Sequence, residues 1–256
     1  DAARERVGGG VAGALARNKA DWGVGGARCG RDDGLGAGRD AVGRDAEAAG
    51  LLGRVHARFV RAGGGLREAA KARLAAIGER LATLIRDNRG RIGTGFAGTP
   101  LVLDALTQTG HLSEAWQMLQ CRECPSWLYQ VDMGATTIWE RWDSMQPDGT
   151  VNSGEMTSFN HYALGAVADW LHRVVGGIEN AGSGYDRILF RPRPGGGVSH
   201  AKCELESPYG RIASGWQITD GTFSVTVEVP PGAGAELVMP DGTRHTLTNG
   251  EHRYAC

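Results

Sequence analysis

The apolar residues of this chain change period once along its length, and that change limits the folds open to it. Leu74, Ile77, Leu81, Leu84 and Ile85 recur at steps of three and four, the spacing of one helix face, and predict a helix running to about Asp87. Thr99-Pro100 reads as an N-cap followed by proline at the first helical position, and Gly110 as the stop of that helix. A shorter helix follows from Ser113 through Leu119. After Ser158 the residues Phe159, Tyr162, Ala163, Ala166, Val167, Trp170, Leu171, Val174 and Val175 keep the helical period again, until Gly176-Gly177 stops it. Beyond that point the period is two. Phe223, Val225, Val227 and Val229 alternate with polar residues, and Ala235–Met239 and Arg244–Leu247 flank the turn residues Pro240-Asp241-Gly242-Thr243. Helices followed by strands means two modules with separate cores. The expected chain is therefore multidomain α and β: helical hairpins over 66–177, then an antiparallel β module over 178–256, joined at Gly176-Gly177 to Gly184.

Residues 1–65 fit neither pattern. They hold 17 Gly, 14 Ala and 10 Arg and no Pro, so large apolar residues are too sparse to offset chain entropy. This low-complexity segment is expected to be a flexible tail or a loosely helical stretch around Val55 to Val60. Gly, Ala and Arg are also what GC-rich codons give in any frame, which raises a third reading: translation out of frame upstream of about Leu66. An uninterrupted, supported reading frame through that DNA would exclude it.

Charge and cysteine content remove several functions. A net charge of −1 gives no electrostatic reason to expect nucleic acid or an anionic membrane as partner. No apolar run approaches the roughly 18 residues of a spanning helix, and the charged stretch Asp1 to Arg6 has no apolar signal region behind it. The expectation is a soluble chain, cytoplasmic by default. Five cysteines in a chain of this size read as reduced thiols. Cys121 and Cys124 have the spacing of half a zinc site, but no second pair completes it, so two half-buried cysteines are expected and no metal.

The densest stretch lies between the two modules, from Pro125 to Tyr162. It concentrates Trp127, Trp139 and Trp142 with Glu140, Asp143, Glu155 and His161. Aromatic faces beside carboxylates suit a sugar: rings stack on the C–H face of a pyranose, and carboxylates take hydroxyls or protons. Other readings stand beside this one. Thr137-Ile138-Trp139-Glu140 fits a capping box, in which Glu140 closes the first turn of a helix. Arg141 and Asp143 read as a structural ion pair or helix-end charges, Glu155 as a loop or first-turn acid, and Trp127 and Tyr129 as packing or sugar contact. On a helix Trp139 and Trp142 point different ways, so at most one shares a pocket with Glu140. His161 falls about 200° round the predicted helix from the apolar stripe and faces away from the core.

Four ordered blocks carry a resemblance: Thr94-Gly95-Phe96-Ala97-Gly98-Thr99-Pro100, Gly134-Ala135-Thr136-Thr137-Ile138-Trp139-Glu140-Arg141-Trp142-Asp143, Met156-Thr157-Ser158-Phe159-Asn160-His161-Tyr162-Ala163-Leu164-Gly165, and Ser207-Pro208-Tyr209-Gly210-Arg211-Ile212. In this order they closely resemble the bacterial α-L-rhamnosidases, glycoside hydrolase family 78, from about Ile92 to Val238. The resemblance implies a catalytic (α/α)6 barrel, here only in part, followed by a C-terminal β-sandwich. It implies hydrolysis of terminal α-L-rhamnosides with inversion at the anomeric carbon. It carries the general base over to Glu140 and a sugar contact to His161, with Trp139, Trp142 and Trp127 as candidate substrate-binding rings. An inverting base stands about 6.5–9.5 Å from the acid, leaving space for one water. No cofactor is implied, and the expected partner is a rhamnose-containing oligosaccharide or glycoside.

The family's general acid belongs to an acid-rich block upstream, of the type Asp-x-x-x-Arg-x-Glu followed by Trp, and no such block occurs in this chain. Residues 66–177 hold too few helices for a whole barrel. The chain thus reads as the C-terminal half of such an enzyme. Two alternatives remain open at this point: a non-catalytic carbohydrate-binding fragment, and a related inverting glycosidase with a different sugar.

Overall fold

The computed structural model describes residues 64–95 and 97–256. The expectations for 1–63, a low-complexity tail or an out-of-frame stretch, lie outside the described residues. The chain divides into two compact units, one through Val167 and one from Ala168 to Cys256. The division falls inside the last helical segment, ahead of the Gly176-Gly177 pair.

In the first unit the long helix α1, Gly64–Asp87, ends in the buried Leu81, Leu84 and Ile85 of the predicted stripe, with Ala82 buried beside them. Its Gly78 is a close-approach position: a Cβ there would lie 2.4 Å from the Thr109 side chain at the end of the next helix. That helix, α2, is Thr99–Gln108. Thr99 does not cap it as predicted but sits in its first turn, its hydroxyl donating back to the Gly95 carbonyl at 2.8 Å. Gly110, at φ +87°, ends it as expected, and His111 N–H closes on Leu106 O at 2.8 Å. Helix α3, Leu112–Gln120, buries Ala115, Trp116, Met118 and Leu119. A helix absent from the sequence reading, α4 over Trp127–Asp132, starts at Ser126, whose hydroxyl accepts from Tyr129 N–H at 3.1 Å.

From 133 to 162 there is neither helix nor strand, apart from a bridge between Met145 and Val151. The single helix expected from Phe159 to Val175 is replaced by three short pieces: a 3-10 turn Ala163–Ala166, helix α5 Val167–Trp170, and a π turn Leu171–Val175. The reason is tertiary. His161 N–H donates to Ile138 O at 2.7 Å and Ser158 O accepts from Glu140 N–H at 2.8 Å, so these main-chain groups are spent across the chain rather than along a helix.

In the second unit eight strands form two four-stranded sheets. They are β1 Ile178–Asn180, β2 Arg187–Phe190, β3 His200–Ser207, β4 Gly210–Thr219, β5 Thr222–Val229, β6 Gly234–Val238, β7 Arg244–Leu247 and β8 Gly250–Ala255. One sheet runs β1-β2-β6-β7 and the other β3-β4-β5-β8. All pairings are antiparallel except β2 with β6, which aligns Ile188 with Ala235 and Phe190 with Leu237 in parallel. Alternation sets the core: Ile188 and Phe190 from β2, Ala235 and Leu237 from β6, Ile212 and Trp216 from β4, and Phe223, Val225, Val227 and Val229 from β5 are buried. His245 of β7 stacks on Tyr254 of β8 at 4.0 Å, joining the two sheets at one edge of the sandwich. The predicted turn after Met239 forms, with Met239 N–H donating to Thr243 O at 2.8 Å.

Candidate active site

The segment that concentrates the candidate residues is built on side chains anchored to distant main chain. Burial of Trp127 (3% exposed), Trp139 (2%) and Trp142 (9%) fixes it from inside. Trp127 and Trp142 meet edge to face at 5.5 Å, and Trp139 meets Phe159 the same way at 5.1 Å. The indole N–H of Trp127 donates to Leu164 O at 2.8 Å and that of Trp142 to Thr94 O at 3.2 Å. Tyr129 Oη donates to Met145 O at 2.7 Å, and Gln130 Nε2 to Arg141 O at 3.3 Å. These bonds take the place of the ladders that the segment lacks.

On that support, 137–140 and 158–161 run side by side. The Thr137 hydroxyl donates to Phe159 O, His161 N–H to Ile138 O, and Glu140 N–H to Ser158 O. Ser158 N–H in turn donates to Glu140 Oε2 at 3.2 Å, so main chain and carboxylate of Glu140 are both tied to one residue. Glu140 is half-buried and stands in a loop, which removes the capping-box reading and the helical argument about Trp139 and Trp142. His161, also half-buried, lies outside any helix, so the reading of its angle about a helix falls as well. Its Nδ1 accepts from Ala163 N–H at 3.3 Å, which puts the proton of the neutral ring on Nε2. The Tyr162 ring stacks on it at 4.8 Å.

Arg141 and Asp143 form the expected ion pair, Nε to Oδ1 at 2.6 Å, and Asn152 Nδ2 adds a bond to Asp143 Oδ2 at 3.0 Å. Arg141 Nη1 also reaches the Glu155 carbonyl at 3.3 Å, and the Glu155 side chain is exposed. This knot closes the loop that returns the chain to Ser158. Sequence reasoning missed Ser158 as the residue holding Glu140, because its part is played by main-chain N–H and C=O, which any residue but proline would supply. Cys121 and Cys124 are half-buried, and no cluster of three or more metal-ligating side chains occurs among the described residues. No helix among them is long and apolar enough to cross a membrane.

The arrangement offers a carboxylate with one oxygen held by an amide, an imidazole with a fixed tautomer, and an aromatic ring stacked on it. Such a set can activate a water and contact hydroxyls, the needs of glycoside hydrolysis. Two family models match in succession: the bacterial alpha-L-rhamnosidase 6 hairpin glycosidase domain over residues 65–175, and the bacterial alpha-L-rhamnosidase C-terminal domain over 177–254. The chain belongs to the bacterial α-L-rhamnosidase family. It is 44% identical over 175 residues to the alpha-L-rhamnosidase of Streptomyces avermitilis, covering 67% of this chain and 17% of that one. It is 36% identical over 181 residues to one from Formosa agariphila, covering 68% and 20%. Among solved structures, the native rhamnosidase of Aspergillus terreus aligns at TM-score 0.69 and 43% identity over 71% of this chain and 21% of that one. The Streptomyces avermitilis enzyme complexed with L-rhamnose aligns at TM-score 0.69 and 39% identity over 71% and 20%. The rhamnosidase-family chain thus spans about a fifth of the length of these relatives. Helical hairpins followed by a sheet-rich C-terminal domain are the architecture it shares with them.

Proposed function

We propose that this chain is the C-terminal part of an inverting α-L-rhamnosidase, with Glu140 as the general base. The reading rests chiefly on one observation: within a family-matched segment, the Glu140 carboxylate is fixed by Ser158 N–H at 3.2 Å on the strand-like pair that also carries His161. In this mechanism the Glu140 carboxylate takes a proton from a water placed on the face of the sugar opposite the leaving group. The water oxygen bonds to the anomeric carbon as the glycosidic bond breaks, giving β-L-rhamnose and the aglycone. His161 donates from Nε2 to a sugar hydroxyl. Trp127, Trp139 and Trp142, buried as they are, serve by holding the Glu140 loop in place, and any sugar contact they make is confined to ring edges. The general acid is not among this chain's residues, and the substrate is a terminal α-L-rhamnoside.

The test uses a leaving group that departs without a proton. Nitrophenolate is such a group, so the chain should hydrolyse p-nitrophenyl α-L-rhamnoside, with no gain from an acid. Glu140→Gln should reduce the rate by about 10²–10⁴-fold. Equal rates for both proteins, or no hydrolysis by either, would reject the assignment; rhamnose binding without hydrolysis would mark a sugar-binding fragment instead.

A further inference from the structure

Tyr162 is the most exposed large apolar side chain among the described residues, at 83%. Its position in the helical period assigns it to a buried stripe, together with Ala163, which is buried. It escapes that stripe because His161 N–H is bonded to Ile138 O and the 3-10 turn begins only at Ala163, leaving Tyr162 at φ −114° and ψ −34° as the turn's N-cap. The exposed ring is nevertheless held. It lies on the His161 imidazole with centroids 4.8 Å apart and planes 21° from parallel. The imidazole is fixed in turn by Ala163 N–H on Nδ1. An aromatic ring so exposed, so oriented, and one residue from a pairing that also holds Glu140 does nothing for the core of its own unit.

The tryptophans of the segment cannot present a ring face without leaving that core, since all three are buried. We propose that Tyr162 is the stacking platform of the site, its ring taking the C–H face of a terminal 6-deoxyhexose and the methyl group at C6. This rests on the rhamnosidase reading of Glu140 and His161. L-rhamnose carries a methyl at C6 where L-mannose, of the same ring stereochemistry, carries a hydroxymethyl. A phenol ring face attracts polarised C–H groups and the methyl, and offers no partner for a hydroxyl that would lose its water. Tyr162 therefore sets the preference for the deoxy sugar, and the stacked His161 ring limits the directions its face can take.

Affinities of the 256-residue chain for L-rhamnose and L-mannose, measured by ligand-observed NMR or calorimetry, test this. Wild type is expected to prefer L-rhamnose. Tyr162→Ala should weaken L-rhamnose about tenfold and bring the two sugars within about twofold of each other, whereas Tyr162→Phe should stay within about twofold of wild type. The exposure of Tyr162 makes both variants tolerable to the fold, which circular dichroism checks. Glu140-dependent hydrolysis of the nitrophenyl rhamnoside together with unchanged affinity and preference in Tyr162→Ala overturns the platform and spares the rhamnosidase reading. Loss in Tyr162→Phe equal to that in Tyr162→Ala also overturns it, since the ring face would then not be the contact. A wild-type chain with neither affinity nor hydrolysis overturns both.

Discussion

The segment 133–162 and the second unit solve the same problem, satisfying buried main chain, in opposite ways. The β sandwich does it with ladders: β4 alone pairs eight residues with β3 and seven with β5. The site segment has one isolated bridge and is tied instead by single side chains, as where Trp142 donates to Thr94 O and Tyr129, from helix α4, donates to Met145 O. Ladders fix side chains in two alternating rows, which suits a core. Individually anchored loops can aim a carboxylate and an imidazole in directions no regular element allows, which suits a site. The cost of this freedom is that single anchors matter more.

Removing an anchor is the largest way to break this contrast. Trp127→Ala deletes a buried indole and its bond to Leu164 O, and should destabilise the first unit by about 3–5 kcal/mol in urea unfolding. A cost below about 1 kcal/mol would show that side-chain anchors do not hold the segment. Cysteine reactivity sharpens the other half of the contrast. Burial pushes the Cys203 thiol up to about 12 from its ordinary 9.0, while Cys256 is exposed at the chain end. At pH 8 Cys203 should be alkylated far more slowly than the exposed Cys256, because burial limits both the access to its thiol and its thiolate population. Comparable rates would mean that the β unit opens easily.

A finer cut is Trp142→Phe, which keeps most of the ring but leaves Thr94 O without its indole donor. It should cost about 1–3 kcal/mol, read from the same unfolding curves. The smallest effect is a pH slope from His172. Its Nε2 is buried without a hydrogen-bond partner, and burial lowers its pKa below the ordinary 6.5. The folded state then disfavours the imidazolium, so the unfolded state binds more protons as pH falls through 6.5. Stability of the second unit should therefore decline on acidification below that value and level off below the folded pKa. His172→Gln should flatten that part of the profile; an unchanged slope would place its origin elsewhere.

The same contrast explains what could be read from the residues alone. The strand Thr222–Val229 and the turn at Pro240-Asp241-Gly242-Thr243 were legible because side-chain period and turn chemistry are local. The parallel partnership of β2 and β6 was not, since strands so far apart in sequence choose each other by packing. The apolar spacing from Phe159 to Val175 fits one helix, yet Phe159 is spent on Trp139 and His161 N–H on Ile138 O. Tertiary bonds overrode a sound local signal at the residues proposed to meet substrate. The identity of Glu140 and His161 as candidates came through the family blocks, while the Ser158 clamp and the exposure of Tyr162 needed coordinates.

The central claim, that Glu140 activates the attacking water, is tested most directly by the stereochemistry of a rescued reaction. Glu140→Ala removes the base and opens space beside the anomeric carbon, and azide needs no base to attack. Incubated with p-nitrophenyl α-L-rhamnoside and azide, the variant should regain turnover and form β-L-rhamnosyl azide, visible in its proton spectrum, while wild type in water yields β-L-rhamnose first. Formation of the α-azide, or failure of azide to restore any turnover in a variant that still binds rhamnose, would contradict Glu140 as the base of an inverting reaction.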